Sequence, residues 1–230
     1  MIRFAAVAPH GDVEGAPELL AAMEELGRRY DGATTAVVVT PHNVHVEGHF
    51  AVVVSARVGE HAVDRELALA VVAAARAAGL PTLGVSYGGN DPSEAELPLD
   101  WGTEVPLRYV PAPKVVVVAP ARDRPLEEHI RFGEVLAQFE VSLIASADHG
   151  HAHDADGPYG FDEAAAEYDR RFCELTETGD FRPLAGLVAD AKADSLWQLL
   201  VLQGAVGTRP LELLAYAAPA YYGMAVAVAT

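Results

Sequence analysis

The chain has 230 residues, of which 51% are hydrophobic and 21% are charged, and this composition is typical of a folded globular protein. Its net charge of −17 argues against a nucleic acid partner, because a phosphate backbone would be repelled, and an anionic substrate would need a local positive site. A single cysteine, Cys173, excludes an internal disulfide and is compatible with a reducing cytoplasm. Neither a linker nor a repeat interrupts the sequence, so we predict one domain over residues 1–230.

Apolar runs of strand length recur along the chain, with helical patterns between them. The predicted strands are Ile2–Ala8, Thr35–Thr40, Phe50–Val58, Pro81–Tyr87, Lys114–Ala119 and Val141–Ala147. Several are continuous Val, Ile and Ala runs, which is typical of central strands covered on both faces. Thr35–Thr40 and Phe50–Val58 lie so close in sequence that they are candidates for an antiparallel pair.

The segments between the strands keep a helical period. Apolar residues at helical spacing are Leu19, Met23, Leu26 and Tyr30, then Val63, Leu67 and Val71, then Ala165, Tyr168 and Phe172. Asp162 is the expected N-cap of the last of these helices. Strands that alternate with helices predict an α/β domain whose mostly parallel or mixed sheet is flanked by helices, with the site at the carboxyl ends of the strands.

Both ends of the chain bear on localisation. The start, MIRFAAVAP, lacks the long apolar run of a signal peptide. The apolar segment LLAYAAPAYYGMAVAVAT is interrupted by Pro219 and Gly223, so we interpret it as core strand and turn and not as a membrane span. We therefore predict a cytoplasmic protein without membrane contact.

Three of the apolar strands are followed by a histidine. His10 comes after the first strand in APHGD, His42 after the second in TPHN, and His149 after the sixth in SADHGH. If these strands are parallel neighbours, the three imidazoles converge on one crevice, because ligand sites of open α/β sheets gather at the carboxyl ends of strands. Taken singly, each histidine is most simply a turn residue.

Two imidazoles and one carboxylate, with open positions left over, form the ligand set of non-haem Fe(II) oxygenases. Asp194, at the start of an apolar helix, is the candidate carboxylate, although it is an equally good N-cap for the predicted helix Ser195–Gly204. Asp12 is either a turn residue or a cap of the predicted helix Ala16–Arg29.

The segment from Ser146 to Asp162 contains histidines at i, i+2 and i+4, a spacing that by itself suggests a metal site. His149 directly follows the strand, and we place His151 at the edge of the pocket. His153 precedes a Gly-Pro turn signal among aspartates and is predicted to lie in a solvated loop.

Six motifs, in this order, give the chain a resemblance to the class III extradiol ring-cleavage dioxygenases: APHGD, TPHN, LDWGTEVPLRYV, SADHGHAH, AKADSLWQLLVLQGA and YYGMAVA. The resemblance implies an Fe(II) enzyme that opens a catechol-like or aminophenol-like ring with O2. It implies that His10 and His42 bind the iron and that His149 acts as acid and base on the substrate hydroxyl. His151 and Tyr221 are the expected substrate-binding residues, and Tyr159 and Tyr216 are further candidates for the pocket wall.

The sequence departs from this family at two points. The third ligand of the family is usually a glutamate, whereas this chain offers Asp194, with Asp190 as the alternative, and Trp101 stands where related enzymes often have a histidine. The same ligands also suit Zn(II), which leaves a zinc hydrolase or a Memo-type metal-binding protein without ring cleavage as alternatives. The expected partners are a small aromatic substrate and O2. A homo-oligomer is expected, with room for a small second subunit.

Overall fold

The computed structural model describes residues 1–30, 32–88 and 90–229. Its strands are β1 (Ile2–Ala8), β2 (Thr35–Val39), β3 (Phe50–Val53), β4 (Arg57–Val58), β5 (His61–Ala62), β6 (Thr82–Val85), β7 (Glu96–Leu97), β8 (Lys114–Ala119), β9 (Val141–Ser146), β10 (Leu211–Ala217) and β11 (Met224–Ala229). Its α-helices are α1 (Pro17–Arg29), α2 (Arg65–Ala77), α3 (Trp101–Leu107), α4 (Leu126–Leu136), α5 (Glu163–Leu175), α6 (Val188–Ala191) and α7 (Leu196–Val206).

Eight of these strands form one mixed sheet, in the order β10-β11-β1-β9-β2-β8-β3-β6. The four central strands β1, β9, β2 and β8 are parallel neighbours, while β11 and β3 run antiparallel to β1 and β8 on either side. The valines of β2 and β8 are completely buried, as in strands covered on both faces. The predicted α/β domain with a mixed sheet is thus confirmed.

The helices bury the apolar stripes that the sequence indicates. In α1, Leu19, Met23 and Leu26 are fully buried, and the helix packs on β10 and β11. Helix α7 packs on β1 and β9 and against α4, and α2 packs on β3, β6 and β8. Asp162 caps α5 as predicted, since its carboxylate accepts from Ala164 N at 2.9 Å. Among the described residues, no helix combines the length and apolarity needed to cross a bilayer.

Two predictions about the strands were wrong. The segments Thr35–Thr40 and Phe50–Val58 do not pair, because β8 lies between β2 and β3. β8 is apolar and buried from Val115 to Ala119, and it pairs with β2 on one edge and with β3 on the other. The second segment is also not one strand: β3 ends at Val53, and the chain continues into a separate sheet of order β5-β4-β7.

The C-terminal segment forms strands and a turn, as predicted. β10 and β11 are an antiparallel pair at one edge of the large sheet, and β11 also pairs with β1. The residues that join them include Tyr221 and Tyr222, which reach the carboxyl end of β1. This edge of the fold therefore closes one side of the site.

Candidate metal centre

The carboxyl ends of the four central parallel strands carry the candidate site. His10 follows β1, Asp148 follows β9, His42 follows β2 and Arg122 follows β8. These side chains line one open cavity of about 960 Å³, a size typical of small-molecule sites. The strands before His10 and His42 both pair with β9 in parallel, so the two imidazoles converge as the prediction required.

Three side chains meet closely at the base of this cavity, and we call them the His–His–Asp cluster: His10, His42 and Asp194. The two Nε2 atoms lie 2.9 Å apart, and Asp194 Oδ2 lies 3.9 Å from His10 Nε2 and 3.8 Å from His42 Nε2. The other oxygen, Asp194 Oδ1, is buried without a hydrogen-bond partner. One cation placed among these atoms would contact all three residues.

Ser146 fixes which nitrogen of His10 carries the proton. Its hydroxyl donates to the carbonyl of Gly102 and therefore accepts from His10 Nδ1, which lies 3.0 Å away. With the proton on Nδ1, the Nε2 atom keeps its lone pair, and Nε2 is the atom that faces His42 and Asp194. This outer hydrogen bond orients His10 as a metal ligand is usually oriented.

Burial controls the charge of the cluster. Burial, helped by the charge of His151, lowers the pKa of His10 to about 3, and burial together with His10 lowers the pKa of His42 to about 4. Both imidazoles are therefore neutral near pH 7, the form that binds metals. Burial and the nearby Asp148 raise the pKa of Asp194 well above its usual value. A cation would favour the ionised form of Asp194.

The chain path before α7 directs Asp194 toward the histidines. Lys192 ends α6 in the left-handed region, with φ at 54°, and this turn reverses the chain just before Asp194. Ser195, not Asp194, is the N-cap of α7, so the alternative role of Asp194 as a helix cap is wrong. Asp190 is exposed on α6 and does not belong to the cluster, so the structure brings Asp194, and not the alternative Asp190, to the two histidines.

The loop that carries His42 is held by Asp100. The Asp100 carboxylate caps α3 at Thr103 N and accepts from Thr40 Oγ1 at 3.0 Å and from Asn43 Nδ2 at 2.7 Å. The Trp101 ring, at the start of α3, packs against the His42 ring with centroids 4.6 Å apart. Trp101 thus forms an apolar wall of the cavity beside His42.

Glycines in two of the motifs allow close approach at the site. A Cβ on Gly11 would lie 2.2 Å from the ring of Tyr222, whose hydroxyl accepts from Asp12 N. A Cβ on Gly102 would lie 2.2 Å from Thr40 Oγ1. Asp12 accepts from Glu14 N as the N-cap of the short 3-10 helix Val13–Gly15, and α1 is preceded by Ala16 instead, so Asp12 does not cap α1. The glycines of APHGD and LDWGT therefore allow close packing around His10 and His42.

The predicted acid–base residue His149 does not line the cavity. Its side chain is fully buried, its ring stacks on Phe172 with centroids 3.9 Å apart, and its Nδ1 lies 3.1 Å from Ser195 Oγ. Ser195 Oγ in turn contacts Tyr168 OH at 2.9 Å. Burial lowers the pKa of His149 to about 4. His149 is a core residue behind the site, because the loop turns its side chain inward.

His151 occupies the cavity wall instead. Its Nδ1 lies 2.7 Å from the carbonyl of His149, which can only accept, so Nδ1 carries the proton and Nε2 the lone pair. Its ring approaches Tyr159, Tyr221 and Tyr222, and all four residues line the cavity. Burial lowers the pKa of His151. The structure therefore places both predicted substrate-binding residues, His151 and Tyr221, on the cavity.

A second group of buried polar residues lies behind this loop, and we call it the Asp169 cluster: Asp169, His153, Tyr216 and the backbone of Gly150. Asp169 Oδ1 accepts from Gly150 N at 2.7 Å, and Oδ2 accepts from His153 Nε2 and Tyr216 OH, both at 2.8 Å. The prediction of a solvated His153 was wrong, because its contact with Asp169 Oδ2 holds the side chain inward at 14% exposure. Tyr216 belongs to this cluster and not to the cavity wall.

Sequence reasoning missed Arg122, Asp100 and Asp169. Arg122 was within reach of the rule that found the histidines, since it follows β8 in KVVVVAPAR just as His42 follows β2. Asp100 had a weaker signal, the capping pattern of an aspartate three residues before Thr103. Asp169 lies within a helix, and nothing in the local sequence distinguishes it from a surface residue.

Comparison with known proteins gives limited further information. No family model matches the chain, and no curated protein matches it. Among solved structures, the uncharacterized protein JW3007 from Escherichia coli K12 aligns over 99% of both chains with a TM-score of 0.65 and 13% sequence identity. At this identity the similarity shows the fold alone.

Proposed function

We propose that this protein is an Fe(II)-dependent extradiol dioxygenase that opens a catechol-like or aminophenol-like ring with O2. The observation that carries the proposal is the His–His–Asp cluster at the base of a cavity with aromatic walls. Two neutral imidazoles and one carboxylate with an unpaired oxygen match the 2-His-1-carboxylate set, and the open side faces the cavity. A bound Fe(II) would supply redox chemistry with O2 and a Lewis acid for the ring oxygens.

The surrounding residues have distinct roles in this proposal. His10, His42 and Asp194 hold the metal, and Tyr221 with Trp101 packs against the aromatic ring. His151 takes the acid–base role in place of His149. The Nε2 of His151 carries no proton, and His151 lines the cavity. Proton transfer from a ring hydroxyl to this nitrogen and back is the step that His151 performs.

The proposal also covers the setting of the reaction. The partners are a small aromatic substrate and O2. The single cysteine and the lack of a membrane-spanning helix in the described part of the chain support a cytoplasmic location within the proposal. A homo-oligomer, with room for a small second subunit, is part of the same proposal.

The test is oxygen consumption by iron-loaded protein. The purified chain is loaded with Fe(II) without air and mixed with catechol, 3,4-dihydroxybenzoate or 2-aminophenol, and O2 uptake and the yellow ring-opened product are followed after air is admitted. We expect uptake with at least one of these compounds. Stoichiometric iron without uptake for any of them would contradict the proposal and favour a metal-binding protein without ring cleavage.

Two matched variants test the assignment of the proton carrier. His151→Gln should retain iron and lose turnover by about 10²- to 10⁴-fold, the usual effect of removing a general acid or base. His149→Gln should retain iron and turnover per folded molecule and lose stability instead. If only His149→Gln lost turnover while both variants kept iron, the acid–base role would belong to His149.

A further inference from the structure

Among the described residues, Arg122 is the cavity cation whose side chain forms neither an ion pair nor a hydrogen bond within the protein. It follows β8, lines the cavity and lies with its guanidinium carbon 5.0 Å from the centroid of the Trp197 ring. Asp194 acts on its charge from a distance, but no described carboxylate forms an ion pair with Arg122. An aromatic face holds the guanidinium through its π system and leaves the N–H donors at its edge free.

The other two cations of the cavity are engaged within the protein. Arg108 donates to Glu104 Oε1 at 2.6 Å, one turn earlier on the same helical segment. Lys192 Nζ donates to the carbonyl of Ala189 at 2.9 Å. Arg122 is therefore the cavity cation best able to bind an anion without first breaking an internal contact.

A permanent positive charge at this point is unfavourable for metal binding alone. Arg122 lines the same cavity as His10 and His42, so its positive charge disfavours further positive charge there. A divalent cation at the cluster would meet the same repulsion. A negatively charged group on the substrate would compensate for a guanidinium beside the metal site.

Helix α7 sets the positions of both groups. Asp194 lies two residues before the helix begins, and Trp197 lies in its first turn. The third ligand and the ring that holds Arg122 are thus fixed by the same stretch of backbone. A small ligand bound at the cluster would lie in the cavity that Arg122 also lines.

We propose that Arg122 is the anion-binding residue of the cavity and that the substrate is an aromatic that carries a carboxylate in addition to its metal-chelating pair of oxygens or of oxygen and nitrogen. The chelating pair rests on the proposed function, whereas the anion subsite rests on Arg122 itself. A guanidinium presents paired N–H donors that match the two oxygens of a carboxylate.

The experiment measures binding and not turnover. Zn(II)-loaded protein is titrated calorimetrically without air with 3,4-dihydroxybenzoate and with catechol, which lacks the carboxylate. Metal-free protein is titrated with benzoate and with its neutral counterpart benzamide. Wild type should prefer the carboxylated member of each pair by about 10-fold or more, the usual effect of hydrogen bonds to a charged group.

Arg122→Gln should reduce that preference to about 2-fold or less, with the loss confined to the carboxylated ligands and with metal stoichiometry retained. Arg122→Lys should keep part of it, because an ammonium retains the charge but not the paired donors. The matched control is Arg124→Gln, two residues away, whose guanidinium is paired with Glu128. This control should keep the full preference.

Three results would overturn the assignment: no preference in wild type, a preference that survives in Arg122→Gln, or a preference that is lost instead in Arg108→Gln or Lys192→Gln. Failure of the dioxygenase proposal is distinguishable from each of these. Absence of O2 uptake together with an Arg122-dependent preference would reject ring cleavage and keep the anion subsite. O2 uptake without any preference for the carboxylated ligand would keep ring cleavage and reject the anion subsite.

Discussion

The molecule contains two buried groups of histidine and aspartate that use the same residue types for different ends. In the Asp169 cluster both carboxylate oxygens have protein partners, at 2.7 and 2.8 Å, and the group is complete by itself. In the His–His–Asp cluster Asp194 Oδ1 has no partner, and the two Nε2 atoms face one another. The two groups thus differ in how fully their polar atoms are paired, and an unpaired buried carboxylate oxygen beside two facing imidazoles is costly unless something binds there.

Loss of metal binding is the largest effect that we expect from this difference. His10→Ala should weaken Zn(II) or Fe(II) binding by more than about 100-fold, beyond the range for residues that only support a ligand. Metal content after loading and dialysis measures this effect. His153→Ala is the matched control and should retain one metal per chain. Loss of metal from His153→Ala with retention in His10→Ala would exchange the roles of the two clusters.

A substitution in the Asp169 cluster should show the opposite pattern, with a loss of stability and no loss of metal binding. Asp169→Asn replaces one of the two acceptor oxygens of the Asp169 cluster by an NH2 donor, so the free energy of unfolding should fall by about 1–3 kcal/mol, the usual cost of a buried polar group left without its partner. Urea denaturation of the metal-free protein measures it. Metal stoichiometry should stay at one per chain. A variant with unchanged stability would show that the cluster contributes nothing to the fold.

The pH dependence of stability tests the burial of His149, which belongs to neither cluster. Its pKa is about 4 in the folded protein, against an ordinary value of 6.5 when the chain is unfolded. Between these values the unfolded chain binds a proton at His149 and the folded chain does not. Stability from the neutral imidazole is therefore full above pH 6.5 and is lost as the pH falls toward 4.

His149→Gln removes this titration. The stability difference between wild type and His149→Gln should shrink by about 3 kcal/mol from pH 7 to pH 4, at no more than about 1.4 kcal/mol per pH unit. Urea denaturation at several pH values measures the slope. A difference that did not change with pH would mean that His149 titrates normally in the fold.

The smallest expected effect concerns backbone strain at Lys192, two residues before Asp194 of the His–His–Asp cluster. Lys192 is the non-glycine residue with positive φ among those described. Lys192→Gly should raise the free energy of unfolding by about 0.5–1 kcal/mol, because glycine adopts this conformation without steric cost. Lys192→Ala also removes the ammonium but keeps the Cβ, so it should give no such gain. Equal stability of both variants would show that the turn is unstrained.

Several features of the site were predictable because they depend on local pattern. Continuous apolar runs identified β1, β2, β8 and β9, and polar residues directly after them had to lie at one edge of the sheet. His10 and His42 follow from this rule, and so would Arg122. The loop after β9 did not follow it, since either His149 or His151 could have faced the cavity.

Long-range hydrogen bonds decided the course of that loop. His149 N donates to Gly223 O and His151 N donates to Ala191 O, both at 2.8 Å. These partners lie 40 or more residues away along the chain, so no local window contains the information. The same holds for Asp190 and Asp194, which share a segment in the sequence but point to solvent and to the cluster respectively.

The amino-acid sequence by itself determined the α/β class, the strands that form the centre of the sheet, and the two histidines at their carboxyl ends. These depend on hydrophobic periodicity and chain direction, which are properties of neighbouring residues. Only the tertiary structure decided that His151 faces the cavity, that Asp194 completes the cluster, and that Arg122 forms no ion pair with any residue that the structure describes. Each of these is a statement about which polar atoms remain unpaired after folding, and pairing is decided by residues far apart in the chain.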